Sequence, residues 1–101
     1  MVRGTTPTFQ LKITDDDVDL TQATNVYATF KQLGFQIDKS GDDLVVAAKQ
    51  VDVYLSQEET LQFAEGDIEI QLNWTYGDGS RAATKIKRVS IGKNLIGRVL
   101  K

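Results

Sequence analysis

The stretch VDVYLSQEETLQFAEGDIEIQLNWTY, residues 51–76, decides how the rest of the chain is read, because it holds the clearest strand and the clearest helix start in the sequence. From Asp67 to Tyr76, Ile68, Ile70, Leu72 and Trp74 alternate with Glu69, Gln71, Asn73 and Thr75. A period of two gives a strand one apolar and one wet face, the pattern of a core strand in an antiparallel sheet. Just upstream, Ser56-Gln57-Glu58-Glu59 has the spacing of a capping box. There the Ser56 hydroxyl accepts from a first-turn N–H while the Glu59 carboxylate reaches back to the Ser56 N–H. A short helix from Gln57 to about Phe63 is predicted, pressing Leu61 and Phe63 onto the end of the sheet. Glu65-Gly66 then releases the chain into the central strand.

Working outward, Val51, Val53 and Leu55 alternate with Asp52 and Tyr54 as the strand that feeds the helix. Thr8–Ile13 alternates Phe9, Leu11 and Ile13 against Gln10 and Lys12, and Leu20 drops into the core from an irregular turn at 20–24. In Asn25–Gln32, Val26, Ala28 and Phe30 are read as the inward face. Leu33-Gly34 turns the chain into Phe35–Lys39, and Ser40-Gly41-Asp42-Asp43 turns it into Leu44–Ala48, so these three strands should form a meander. Gly77-Asp78-Gly79 reads as a tight hairpin leading to a long return strand, Arg81–Ile91. Ala82, Thr84 and Ile86 share one face of that strand but Val89 and Ile91 fall on the other, which predicts a β-bulge or bend near Lys87-Arg88.

Residues 1–7 read as an N-terminal arm. Residues 93–101 read as a docking tail carrying Leu95, Ile96, Val99 and Leu100, with room for one helical turn. About seven short strands and no βαβ rhythm predict an all-β, immunoglobulin-like antiparallel sandwich with one short helix, a single domain over residues 1–101. Its expected core comprises Phe9, Leu11, Val26, Phe30, Ile37, Leu44, Val46, Val53, Leu55, Leu61, Phe63, the four residues of the central stripe, Ile86 and Val89.

The chain has no cysteine and no histidine, which removes disulfides, thiolate metal sites and the commonest general base together. No apolar run approaches the roughly 20 residues of a membrane span, so a soluble chain made in a bacterial cytoplasm is expected, with no membrane partner. Asp15, Asp17 and Asp19 alternate as the first ligands of a calcium loop do. Leu20 and Val26 stand where that loop needs Gly and Glu, so a solvated acidic turn is the default. The adjacent Glu58 and Glu59 point about 100° apart on a helix and cannot flank one bond. Trp74 lies on the apolar stripe and reads as core rather than as a platform for a sugar. No nucleophile–base pair stands out; the chain is read as non-enzymatic, with no cofactor and no small-molecule substrate.

Charge is distributed unevenly. From Arg81 onward there are seven basic residues and no acid, while the first 80 residues carry a net −9. Arg81, Lys85, Lys87, Arg88 and Lys93, with the apolar Leu95, Ile96 and Val99, form the candidate partner-binding set. The basic quarter is read either as an aggregation-resistant edge strand or as a face for a protein partner. Nucleic acid is disfavoured because the stripe lacks interleaved aromatics and the whole chain is acidic. Opposite charge on opposite faces would suit head-to-tail contact between identical subunits better than a two-fold dimer.

The segments RGTTPTF (3–9), NVYATFKQ (25–32), LSQEETLQF (55–63), IEIQLNWTYGDGSRAATKI (68–86) and VSIGKNLIGRVL (89–100) together resemble small prophage- and phage-encoded structural proteins of Gram-positive gut bacteria. The chain is more distantly similar to the N-terminal β-sandwich module of phage baseplate proteins. The resemblance implies a virion component of a tail or baseplate, acting through contacts with identical subunits or other virion proteins. It transfers no catalytic or binding residue. The alternative reading is a monomeric immunoglobulin-like module that binds a cell-surface glycan or protein.

Overall fold

The computed structural model describes residues 1–100. Among them are eight strands and one α-helix: β1 (Thr8–Lys12), β2 (Asn25–Gln32), β3 (Phe35–Ser40), β4 (Leu44–Ala47), β5 (Gln50–Tyr54), α1 (Gln57–Leu61), β6 (Gly66–Thr75), β7 (Arg81–Ala83) and β8 (Lys87–Ile91). They form an all-β sandwich of two antiparallel sheets. One sheet has the order β1-β5-β4; the other has the order β3-β2-β6, with β7 and β8 both paired to β6. β6 is the central strand of the larger sheet. Its stripe of Ile68, Ile70, Leu72 and Trp74 is buried, together with Val26, Ala28 and Phe30 of β2, against Leu11, Leu44, Val51 and Val53 of the smaller sheet. Phe9 and Phe30 meet across the sandwich with ring centroids 5.4 Å apart.

The capping box forms as read from the sequence: the Glu59 N–H donates to Ser56 Oγ at 3.2 Å and the Ser56 N–H to Glu59 Oε1 at 2.9 Å. The helix stops at Leu61, and Phe63 beyond it is wholly buried, its ring 5.1 Å from that of Phe35. Lys39, on the outermost strand, reaches α1 and pairs with Glu59 Oε2 at 2.6 Å. Gln32 at the end of β2 clamps the segment after α1, its amide donating to Ala64 O at 2.8 Å and accepting from the Ala64 N–H at 2.7 Å.

The expected meander is only half present. β2 and β3 pair, but a 3-10 turn at Gly41–Asp43, entered through Gly41 at φ +58°, carries the chain into the other sheet, where β4 pairs with β5. β4 is that sheet's edge, so Val46 faces Val51 yet stays 38% exposed, contrary to its place in the expected core. Val51 and Ile91 are buried instead.

The return strand contains the break in register that its sequence demanded, slightly earlier than Lys87-Arg88. Asn73 pairs with Ala83 and Ile70 with Lys87, so the β7–β8 segment holds one more residue than the stretch of β6 it faces. The Thr84 N–H still donates to Leu72 O and its hydroxyl accepts from the Leu72 N–H at 3.1 Å, which places the extra residue at Lys85-Ile86, the two residues that face Gln71. The shift turns Val89 and Ile91 to the core side. It also turns Ile86 outward, where it is 55% exposed rather than buried as expected.

The two chain ends meet. Val2 and Gly92 form a parallel bridge, and the Arg3 guanidinium donates to Phe63 O at 2.5 Å and Leu61 O at 2.7 Å, satisfying carbonyls at the end of α1. The tail has no helical turn; it is irregular, with bends at Leu95 and Arg98, and is tied by Asn94 Nδ2 to Arg3 O at 2.8 Å and by Gln57 to both backbone groups of Leu100.

Candidate interaction surfaces

The strands run between two ends of a body 47 × 25 × 22 Å in extent. One end holds α1, the Leu33-Gly34 hairpin, the arm and the tail; the pairings Gln32 with Phe35, Gly66 with Ile91 and Val2 with Gly92 place them together. This end exposes several apolar side chains. Leu33 is 94% and Leu95 91% exposed, and Val2, Ile96 and Leu100 each keep close to half of their surface in water. Leu33 also has φ +43°, a left-handed conformation that costs a non-glycine residue about 1–2 kcal/mol. Lys93 and Arg98 lie exposed in the same segment.

The other end carries the 13–24 connection and the Tyr76–Ser80 hairpin, which place Asp15, Asp16, Asp17, Asp19 and Asp78 in solvent. Their side chains organise the turns. Asp15 Oδ1 accepts from the Asp17 N–H, Asp19 Oδ1 accepts from the Thr21 hydroxyl at 2.6 Å and N–H at 3.0 Å, and Asp78 Oδ1 accepts both groups of Ser80. These hydrogen bonds from Thr21 and from Ser80 hold the Asp19 and Asp78 carboxyls below the usual carboxylate range. Lys49 supports the loop from beneath, its ammonium donating to Asp15 O and Val18 O at 2.6 Å each. No set of three acidic side chains among the described residues is placed to hold a metal ion.

The eight candidate partner-binding residues do not gather into one patch. Arg81 sits at the acidic end, its guanidinium donating to Asn73 Oδ1 at 3.0 and 3.3 Å. Lys85 and Lys87 line a small cleft with Lys12 at the seam between the sheets, whereas Arg88 lies across from Glu69. Lys93, Leu95, Ile96 and the half-buried Val99 belong to the apolar end. The set therefore spans one long edge of the sandwich, and only its last four members lie at the same end as Leu33. Leu33 escaped sequence reading, because turn position alone does not show that a leucine there is solvent-facing.

No protein-family model, curated protein or solved structure matches the chain.

Proposed function

We propose that this chain is a non-enzymatic β-sandwich subunit that acts through protein–protein contacts in a bacteriophage tail or baseplate. The observation that carries the reading is the apolar end, where Leu33 and Leu95 stand almost wholly in water and Leu33 does so on a strained backbone. A lone exposed leucine is ordinary, but a cluster at one end of an elongated body is what a contact surface looks like. Burying a leucine side chain contributes about 1.5–3 kcal/mol. The opposite end, rich in exposed aspartates, can pair with Lys93 and Arg98, which stand in solvent at the apolar end alongside Glu58, Glu65 and Asp67, so that copies can meet end to end through these two cations. The phage setting is supported by the resemblance of the five segments quoted above. Mass spectrometry of purified particles, induced from a strain that carries the gene, should find the chain at a fixed ratio to other virion proteins. Its presence in the lysate but not in particles would contradict the setting.

A further inference from the structure

The outer face of the five-stranded sheet, which the assembly reading does not use, is built as a hydrogen-bonding site. Ser40, Tyr27 and Asn73 lie side by side across β3, β2 and β6; Asp38, Thr29 and Gln71 form the next row. These side chains hold one another in place. Asp38 Oδ1 accepts from the Thr29 hydroxyl at 2.8 Å, Gln36 Nε2 donates to both Asp38 oxygens at 3.0 and 3.1 Å, and Arg81 fixes the Asn73 carbonyl. With Asn73 Oδ1 engaged, its amide hydrogens are free to donate outward. Among the described residues, neither the Tyr27 hydroxyl, Asn73 Nδ2 nor Arg81 Nη1 has an intramolecular partner. The rows border a shallow cavity of about 470 Å³, within the size range of small-molecule sites. It adjoins a second cavity of about 350 Å³ that shares Thr29 and Gln36 and is bordered by Ile86.

We infer that this face binds a neutral oligosaccharide of at least two sugar rings. The charge balance selects that class: Asp38 opposes an anion and Arg81 opposes a cation, whereas vicinal hydroxyls both donate to a carboxylate and accept from a guanidinium or amide. The Tyr27 ring, 39% exposed, and Ile86, turned outward by the bulge at Lys85-Ile86, supply apolar contact for the C–H faces of a ring in each cavity. Two adjoining cavities that share Thr29 and Gln36 give room for a chain of linked rings rather than a single one.

The test is the full chain on an array of oligosaccharides of glucose, galactose, mannose, N-acetylglucosamine and N-acetylgalactosamine, printed beside sulfated and uronic-acid forms. Retention on at least one neutral oligosaccharide is expected, with affinity falling about tenfold or more in Tyr27→Ala and in Arg81→Met. Ile86→Ser should weaken binding of the disaccharide but not of its terminal monosaccharide. All three positions are exposed or at the sheet surface, and an unchanged circular dichroism spectrum separates loss of binding from loss of fold. Retention on no neutral sugar, retention on acidic forms only, or binding indifferent to Tyr27→Ala and Arg81→Met would overturn the inference.

Discussion

Trp74 ends the apolar stripe of β6, 3% exposed, with its indole N–H donating to the Tyr76 hydroxyl at 3.0 Å. Trp74→Ala should cost about 3–5 kcal/mol, as other large-to-small changes in packed cores do. A denaturant titration showing less than about 1 kcal/mol would place the ring at the surface. Leu33 predicts the opposite sign: Leu33→Asn relieves a left-handed leucine and should raise the stability of the monomer by about 1 kcal/mol. Glu59 sets the behaviour in acid. Burial pushes its carboxyl up, but the Lys39 ammonium and the Ser56 N–H pull it further down, so the net direction is below the usual value. Asp19 and Asp78 are lowered as well. Groups lowered on folding contribute stability that is complete above the unfolded value, about 4, and is lost as pH falls through the folded value. Thermal melts should therefore be level near neutrality and drop below about pH 4, less steeply in Glu59→Gln. The stripe and the capping box were legible because both are patterns within ten residues. Arg3 and Gln32 were not, since their partners lie 60 and 32 positions away and no local rule points at them.

At the scale of elements, parity announced the break in the return strand but could not place it. Thr84 and Val89 lie on opposite faces of any regular strand, so one residue had to be extra, and any position between them satisfied the pattern. Thr84 decides the position by bonding its own hydroxyl and N–H to Leu72, which pins the strand up to that point. Deleting Lys85 should force either Val89 and Ile91 out of the core or β8 out of register, with loss of cooperative unfolding; Lys85→Ala should change stability by no more than about 0.5 kcal/mol. The same limit explains β4. The turn after Ser40 is obvious in the sequence, yet whether it folds back on β3 or crosses to the other sheet depends on which strand is free to pair, and β5 lies later in the chain. The arm offers a cleaner test of long-range contacts: Arg3→Ala should cost about 1–2 kcal/mol, seen as a lower urea midpoint at unchanged slope.

At the scale of the whole molecule, the most exposed apolar residues lie at one end and the aspartates of the two turns at the other, with Glu58, Glu65 and Asp67 also in solvent at the apolar end. The sequence showed a basic C-terminal quarter, but the fold distributes it: Arg81 returns to the acidic end while Lys93 and Arg98 stay with the exposed leucines. Contact between unlike ends should therefore combine burial of Leu33 and Leu95 with attraction that salt screens within about 8 Å at physiological ionic strength. The alternation of β6 could reveal which side chains are buried in the chain itself. It could not reveal which apolar residues the fold leaves in solvent, because both kinds look alike in a sequence. Light scattering across a protein concentration series, at low and at high salt, tests this most directly. The mass should climb with concentration at low salt, return toward that of the monomer at high salt, and stay monomeric throughout in Leu33→Asn with Leu95→Asp. A monomer under every condition, or an oligomer indifferent to salt, to that pair and to Lys93→Glu with Arg98→Glu, would contradict assembly through the apolar end.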